Sequence, residues 1–139
     1  MSQGHVRVSV VIPTHNEAQS IGRVLADLPA DIVTEVLVVD SNSTDGTPEI
    51  ASKMGARVLR EPRRGYGRAC LTGLAEASSP DIVVFLDGDY SDRPAELRFS
   101  WLQSLTDPRI SHLARVSASR AYLGHCHGTP RLAIAWRLS

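Results

Sequence analysis

What most constrains this chain is a repeated pattern of short apolar runs without polar alternation, each closed by a polar cluster and followed by a stretch of helical periodicity. A strand with one wet face alternates polar and apolar residues, whereas a strand covered on both sides reads as a nearly continuous apolar run. Val6–Ile12, through its Val-Ser-Val-Val-Ile core, Glu35–Val39 and Ile82–Leu86 are of the second kind, and Arg57–Arg60 fits a shorter strand between the last two. Pro13 is expected to end the first strand. Asn16 suits the N-cap of a helix over 17–28, where Ile21, Val24, Leu25 and Leu28 form one apolar stripe closed by Pro29. Asp40–Gly46 is turn and cap chemistry, and Pro48 suits the first turn of a second helix that ends near Gly55. Glycines 65 and 67 then open a third helix over 68–77. Strand and helix alternating in this way predict an α/β fold with mostly parallel strands and helices on both faces.

The 139 residues, 42% of them hydrophobic and 22% charged, suit one globular domain. No apolar stretch approaches a membrane span, and the first residues lack the basic-then-apolar plan of a signal peptide, so a cytoplasmic location is expected. Cys70 and Cys126 have neither disulfide-framework nor zinc spacing. The net charge of zero hides an asymmetry: residues 1–97 hold 9 basic against 14 acidic residues, and residues 98–139 hold 6 against 1. Periodicity is also lost near Leu97, so 1–97 and 98–139 are read as different segments. In the second, Gly124-His125-Cys126-His127-Gly128 lacks a fourth metal ligand. The scattered arginines carry no nucleic-acid motif, and Leu132, Ile134 and Trp136 alternate as an edge strand or a short helix would.

Open α/β sheets bind ligands at the carboxyl ends of their strands. Here those ends carry Pro13-Thr14-His15-Asn16-Glu17, Asp40, Arg63-Arg64-Gly65-Tyr66-Gly67 and Asp87-Gly88-Asp89. Asp87 and Asp89, two apart on extended backbone, face the same side, and their mutual repulsion invites a hard cation together with a phosphate-bearing ligand. Taken singly the pieces have plainer readings: Asp40 as a turn cap, and Arg63 and Arg64 as a solvated pair. Gly65-Tyr66-Gly67-Arg68-Ala69-Cys70 imitates part of a dinucleotide fingerprint but follows the third strand, not the first, and lacks the final small residue. The same glycines ahead of a helix suit presentation of backbone N–H groups to a phosphate.

In order, Val-Val-Ile-Pro-Thr-His-Asn-Glu (10–17), Val-Leu-Val-Val-Asp-Ser-Asn-Ser-Thr-Asp-Gly-Thr (36–47), Arg-Arg-Gly-Tyr-Gly-Arg-Ala (63–69) and Phe-Leu-Asp-Gly-Asp-Tyr-Ser-Asp (85–92) resemble the family 2 glycosyltransferases of GT-A fold, and within them the dolichyl-phosphate mannose or glucose synthases and their bacterial relatives. The resemblance covers about residues 6–97 and implies a Rossmann-like GT-A nucleotide-binding sheet, incomplete because Arg98–Ser139 shows no family continuation after Pro94-Ala95-Glu96-Leu97. It assigns Pro13, Thr14, Asn16 and Glu17 to the wall around the base and ribose of a nucleotide-sugar, and Asp40 to a hydrogen bond from the base, uracil or guanine alike. Arg64 and Arg68, beside Gly65, become candidates for the diphosphate or an acceptor phosphate. Asp87 and Asp89 form the implied catalytic centre, with Asp89 the principal ligand of Mg²⁺ or Mn²⁺, Asp87 lying toward ribose and metal, and Gly88 among the substrate-binding residues.

The chemistry this resemblance implies is transfer of a hexose from a UDP- or GDP-sugar to a polyprenyl phosphate, with the protein peripheral at a membrane. A phosphate monoester, with a second pKa of about 6, needs no strong catalytic base. Two other classes stay open: a catalytically silent nucleotide-binding module or homo-oligomer lacking the acceptor half, and a sugar nucleotidyltransferase. The last usually shows a glycine-rich loop after the first strand, and Pro13–Glu17 has no glycine. The atypical tail reads either as an altered continuation of a longer gene or as a short variant that completes its sheet with another subunit, and an unpaired strand edge would favour a homodimer.

Overall fold

The computed structural model describes residues 7–91, 93–97 and 136–137. The expected alternation is present as β1 (Val8–Thr14), α1 (Ile21–Ala26), β2 (Glu35–Asp40), α2 (Thr47–Lys53), β3 (Arg57–Arg60), α3 (Tyr66–Glu76) and β4 (Ile82–Phe85), followed by a 3-10 turn at Pro94–Glu96 and β5 (Trp136–Arg137). The sheet order is β3-β2-β1-β4-β5. The pairs β1–β2, β1–β4 and β2–β3 are parallel, with Val11 opposite both Leu37 and Phe85. From β1 the chain steps outward to β2 and β3, then crosses back to place β4 on the other side of β1. That reversal creates the crevice at the carboxyl ends where such sheets bind ligands.

Alternation along buried strands sends successive side chains to opposite faces. Val8, Val10 and Ile12 of β1, Val38 of β2 and Val84 of β4 pack with Ile21 and Val24 of α1 and Ala51 of α2. Val11, Leu37, Val39 and Val83 form the opposite face with Ala69 of α3. Helices therefore cover both faces. At six residues α1 is too short to persist alone, and burial of Ile21 and Val24, each worth about 1.5–3 kcal/mol, holds it in place. The end of α2 is a Schellman motif: Ala56 N–H reaches Ala51 O and Gly55 N–H reaches Ser52 O, with Gly55 at φ +91°.

Three sequence expectations change. Pro13 does not end β1, which runs on to Thr14 opposite Asp40. Val11 O accepts Leu86 N–H on the β4 side and Thr14 O accepts Ser41 N–H on the β2 side, so Pro13 falls on the β4 side, where the paired register stops at Val11 opposite Phe85. No ladder hydrogen bond is lost by its missing N–H. Second, α1 spans Ile21–Ala26 and not 17–28, and its N-cap is Ser20. Asn16 sits at φ +54° and spends its side chain elsewhere. Third, the unpaired strand edge expected of an incomplete sheet does not fall at the start of β4, which is paired within the chain: Ile82 stands opposite Arg137 and Val83 opposite Trp136, antiparallel. The remaining expectations for the tail, including Cys126 and the His-Cys-His run, lie outside the described residues. Cys70 is a buried core thiol, and that burial pushes its pKa up to about 11.

Candidate functional site

An open cleft of about 420 Å³ lies over the carboxyl ends of β1, β2 and β4 and the start of α3. Of the residues predicted from sequence, Pro13, Thr14, Glu17, Arg64, Gly65, Asp87, Gly88 and Asp89 line it. His15, Ser41, Tyr66 and Ala69 line it as well and had not been singled out as site residues. Arg68 lies exposed on α3 outside the lining. Asn16 and Asp40 are outside the lining as well.

These two act on the wall itself. Asp40 is only 2% exposed; its Oδ1 accepts Thr14 Oγ1 at 3.2 Å and Ser43 Oγ at 2.5 Å, and its Oδ2 accepts Ser43 N at 3.0 Å. Asn16 N donates to Ser43 Oγ at 2.8 Å while its Oδ1 accepts Thr44 N at 2.9 Å. Glu17 N reaches Thr47 Oγ1 at 2.9 Å, and Asp45 accepts Ala18 N at 3.0 Å and Thr47 N at 3.1 Å. The loops after β1 and β2 are thus stitched together by five hydroxyl, amide and carboxylate contacts, giving the cleft a fixed floor.

The acidic loop approaches this floor closely. A Cβ on Gly88 would stand 2.9 Å from Thr14 Cγ2 and 3.3 Å from Pro13 O, so only glycine fits there without displacing β1. Ser20 Oγ donates to Gly88 O at 2.6 Å. Close approach brings the carboxylates of Glu17, Asp87 and Asp89 around one opening, with Arg64 the single Lys or Arg among the described lining residues. Burial, then repulsion from Asp89, raises the Glu17 carboxyl above its ordinary value. Burial of its ring and then the Asp87 charge raise the pKa of Tyr66, which lines the cleft beside Asp87.

This donor set fits a hard divalent cation shared with a ligand. Among the described residues no three His, Cys, Asp or Glu side chains form a self-sufficient cage. Mg²⁺-type sites commonly use one or two carboxylates plus substrate phosphates, which is what Asp87 and Asp89 offer.

Glu61, unnoticed in the sequence, shapes the basic lip. The residue is 4% exposed, and its carboxylate accepts Arg63 N at 3.1 Å, Arg63 Nε at 2.9 Å, Arg63 Nη2 at 3.2 Å and Thr72 Oγ1 at 2.7 Å. Arg63 is therefore committed to Glu61, leaving Arg64 as the arginine that faces the cleft. The Arg63 and Thr72 hydrogen bonds lower the Glu61 pKa to about 2 from 4.5. A depressed carboxyl pKa stabilises the fold above pH 4.5, and that contribution fades as pH falls from 4.5 toward 2. Glu61→Gln should flatten the fall in unfolding free energy between pH 5 and pH 3 in urea titrations; a slope identical to that of the parent chain would mean Glu61 does not titrate as the geometry requires.

The profile of the family described as Glycosyl transferase family 2 matches residues 9–99, and the chain belongs to that family. An uncharacterized glycosyltransferase of Mycobacterium tuberculosis is 48% identical over 84 residues, covering 60% of this chain and 37% of that protein. A dolichyl-phosphate hexose transferase of Haloferax volcanii is 46% identical over 84 residues, covering 59% and 36% respectively. Among solved structures, glucosyl-3-phosphoglycerate synthase of M. tuberculosis, crystallised with Mn²⁺, UDP and glucosyl-3-phosphoglycerate, superposes with a TM-score of 0.65 at 34% identity, over 74% of this chain and 41% of that one. Mannosyl-3-phosphoglycerate synthase of Rubrobacter xylanophilus superposes with a TM-score of 0.66 at 28% identity, over 74% and 37%. The fold is thus the GT-A nucleotide-binding sheet, and the chain spans less than half the length of these relatives.

Proposed function

We propose that this chain binds a UDP- or GDP-sugar with Mg²⁺ or Mn²⁺ in the cleft and donates the sugar to a polyprenyl phosphate at a membrane surface. The observation that carries the reading is the convergence of Asp87, Asp89 and Glu17 on a glycine-built opening at the sheet's reversal point, with Arg64 at the lip. Support for the metal and nucleotide comes from the Mn²⁺ and UDP bound by the glucosyl-3-phosphoglycerate synthase, and support for the lipid acceptor from the dolichyl-phosphate hexose transferase.

In this reading Asp89 and Asp87 hold the cation, whose charge when bound stabilises the departing diphosphate. Arg64 meets a phosphate oxygen, and the stitched loops behind Thr14 and Ser41 form the wall for base and ribose. Asp40, with three acceptor positions already used, contacts a base only through its remaining lone pair. No helix among the described residues is long and apolar enough to cross a membrane. A homodimer would have to use a surface other than the paired part of the β4 edge, such as the outer edge of β3.

The test is sugar transfer by the full chain from UDP-glucose and GDP-mannose, with Mn²⁺, to a short polyprenyl phosphate, with 3-phosphoglycerate as the competing acceptor. The reading predicts nucleoside diphosphate release that depends on the polyprenyl phosphate. Release dependent on 3-phosphoglycerate alone would overturn the acceptor. Donor binding without release to either acceptor would favour the silent nucleotide-binding module.

A further inference from the structure

The chain that leaves the acidic loop does so through an unusual residue. Tyr90, directly after Asp89, adopts φ +65°, a left-handed conformation that a bulky side chain holds only when its surroundings over-determine it. Those surroundings are one face of α1. The Tyr90 hydroxyl donates to Asp27 Oδ2 at the C-cap of the helix. The Arg23 guanidinium lies over the Tyr90 ring, 4.3 Å from its centroid. At the helix N-cap, Ser20 Oγ holds Gly88 O at 2.6 Å. Positions 20, 23 and 27 are three and four apart and so share a face, which grips the loop both before and after Asp89. Asp89 is left to orient by accepting Ser91 N–H at 2.8 Å.

We propose that Tyr90, Asp27 and Arg23 are positioning residues: a latch between α1 and the loop after β4 that holds the Asp87–Asp89 carboxylates in the shape a divalent cation needs. None of the three residues lines the cleft, the Tyr90 ring also packs against the core cluster that includes Val84 and Leu86, and the ligand-side consequence rests on the donor-site reading above. Removing the hydroxyl bond frees Tyr90 to leave its left-handed conformation, and Asp89 then swings with the backbone it rides on.

Tyr90→Phe keeps the ring beneath Arg23 and removes the bond to Asp27; Asp27→Asn weakens the same bond from the other side. Both variants, with Leu74→Ala as a control destabilised remotely from the loop, would be compared by amide hydrogen exchange of the full chain without ligand and by Mn²⁺ electron paramagnetic resonance with UDP and with GDP. Faster exchange confined to Gly88–Ser91, a loss of Mn²⁺–nucleotide affinity on the order of tenfold, and no further loss in the double variant are expected, while Leu74→Ala keeps its affinity. Unchanged exchange in Tyr90→Phe and Asp27→Asn overturns the latch whatever the metal does, as does an equal affinity loss in Leu74→Ala. Faster exchange in the variants of a chain that takes up no Mn²⁺–nucleotide supports the latch and counts against the donor-site reading alone.

Discussion

Asp89→Ala is expected to weaken Mn²⁺-dependent nucleotide binding by about 100-fold or more, since even the outer-shell partners of a metal are worth 10–100-fold. One Asp89 oxygen accepts the Ser91 N–H, and Asp89 lines the cleft. The same change relieves stress in the free protein, because Asp89 is the largest of the carboxylate charges that raise the Glu17 pKa. The thermal midpoint of Asp89→Ala should therefore equal or exceed that of the parent while binding collapses. That combination separates a functional carboxylate from a structural one. Calorimetric titration beside a thermal melt reads both; retained metal-dependent binding would remove Asp89 from the site.

Gly73→Ala should have the largest effect on stability. Gly73 lets α3 settle directly on the sheet: an added Cβ would stand 2.3 Å from Val11 Cγ1 and 3.1 Å from both Val11 Cγ2 and Val39 Cγ2. Val11 and Val39 are fully buried and have nowhere to move. Alanine gains about 1 kcal/mol of helix propensity over glycine, against which overpacking costs typically 1–3 kcal/mol. At a 2.3 Å approach the upper end applies, leaving a net loss of about 1–2 kcal/mol and a midpoint lowered by roughly 2–5 °C per kcal/mol for a chain of this length. Because α3 begins at the cleft with Tyr66, a helix pushed outward should also loosen the lip. A midpoint equal to or above the parent's would contradict this packing.

The strands were legible because a strand buried on both faces announces itself locally, as Val10-Val11-Ile12 and Val83-Val84 do. The acidic loop was legible because parallel topology alone brings every strand's carboxyl end to one edge. What escaped depends on distant neighbours. Pro13 could be placed inside β1 only by knowing that β4 stops pairing at Phe85. Asn16 looked like a helix cap because its residue type caps helices, yet Ser43 and Thr44 compete for it across 27 and 28 residues of sequence. Glu61 had a local signal, a carboxylate two residues before an arginine, but its burial against Thr72 of α3 had none. The left-handed Tyr90 and its partners on α1 are likewise a property of packing, 63 residues apart in the chain.

The most direct test of the account is calorimetric titration of the folded full chain with UDP and with GDP, each with and without Mn²⁺. The account predicts binding of at least one nucleotide that requires the metal and competes with the corresponding nucleotide-sugar. Equal affinity with and without Mn²⁺, or no binding of either nucleotide, would contradict a cation-assisted donor site at Asp87 and Asp89.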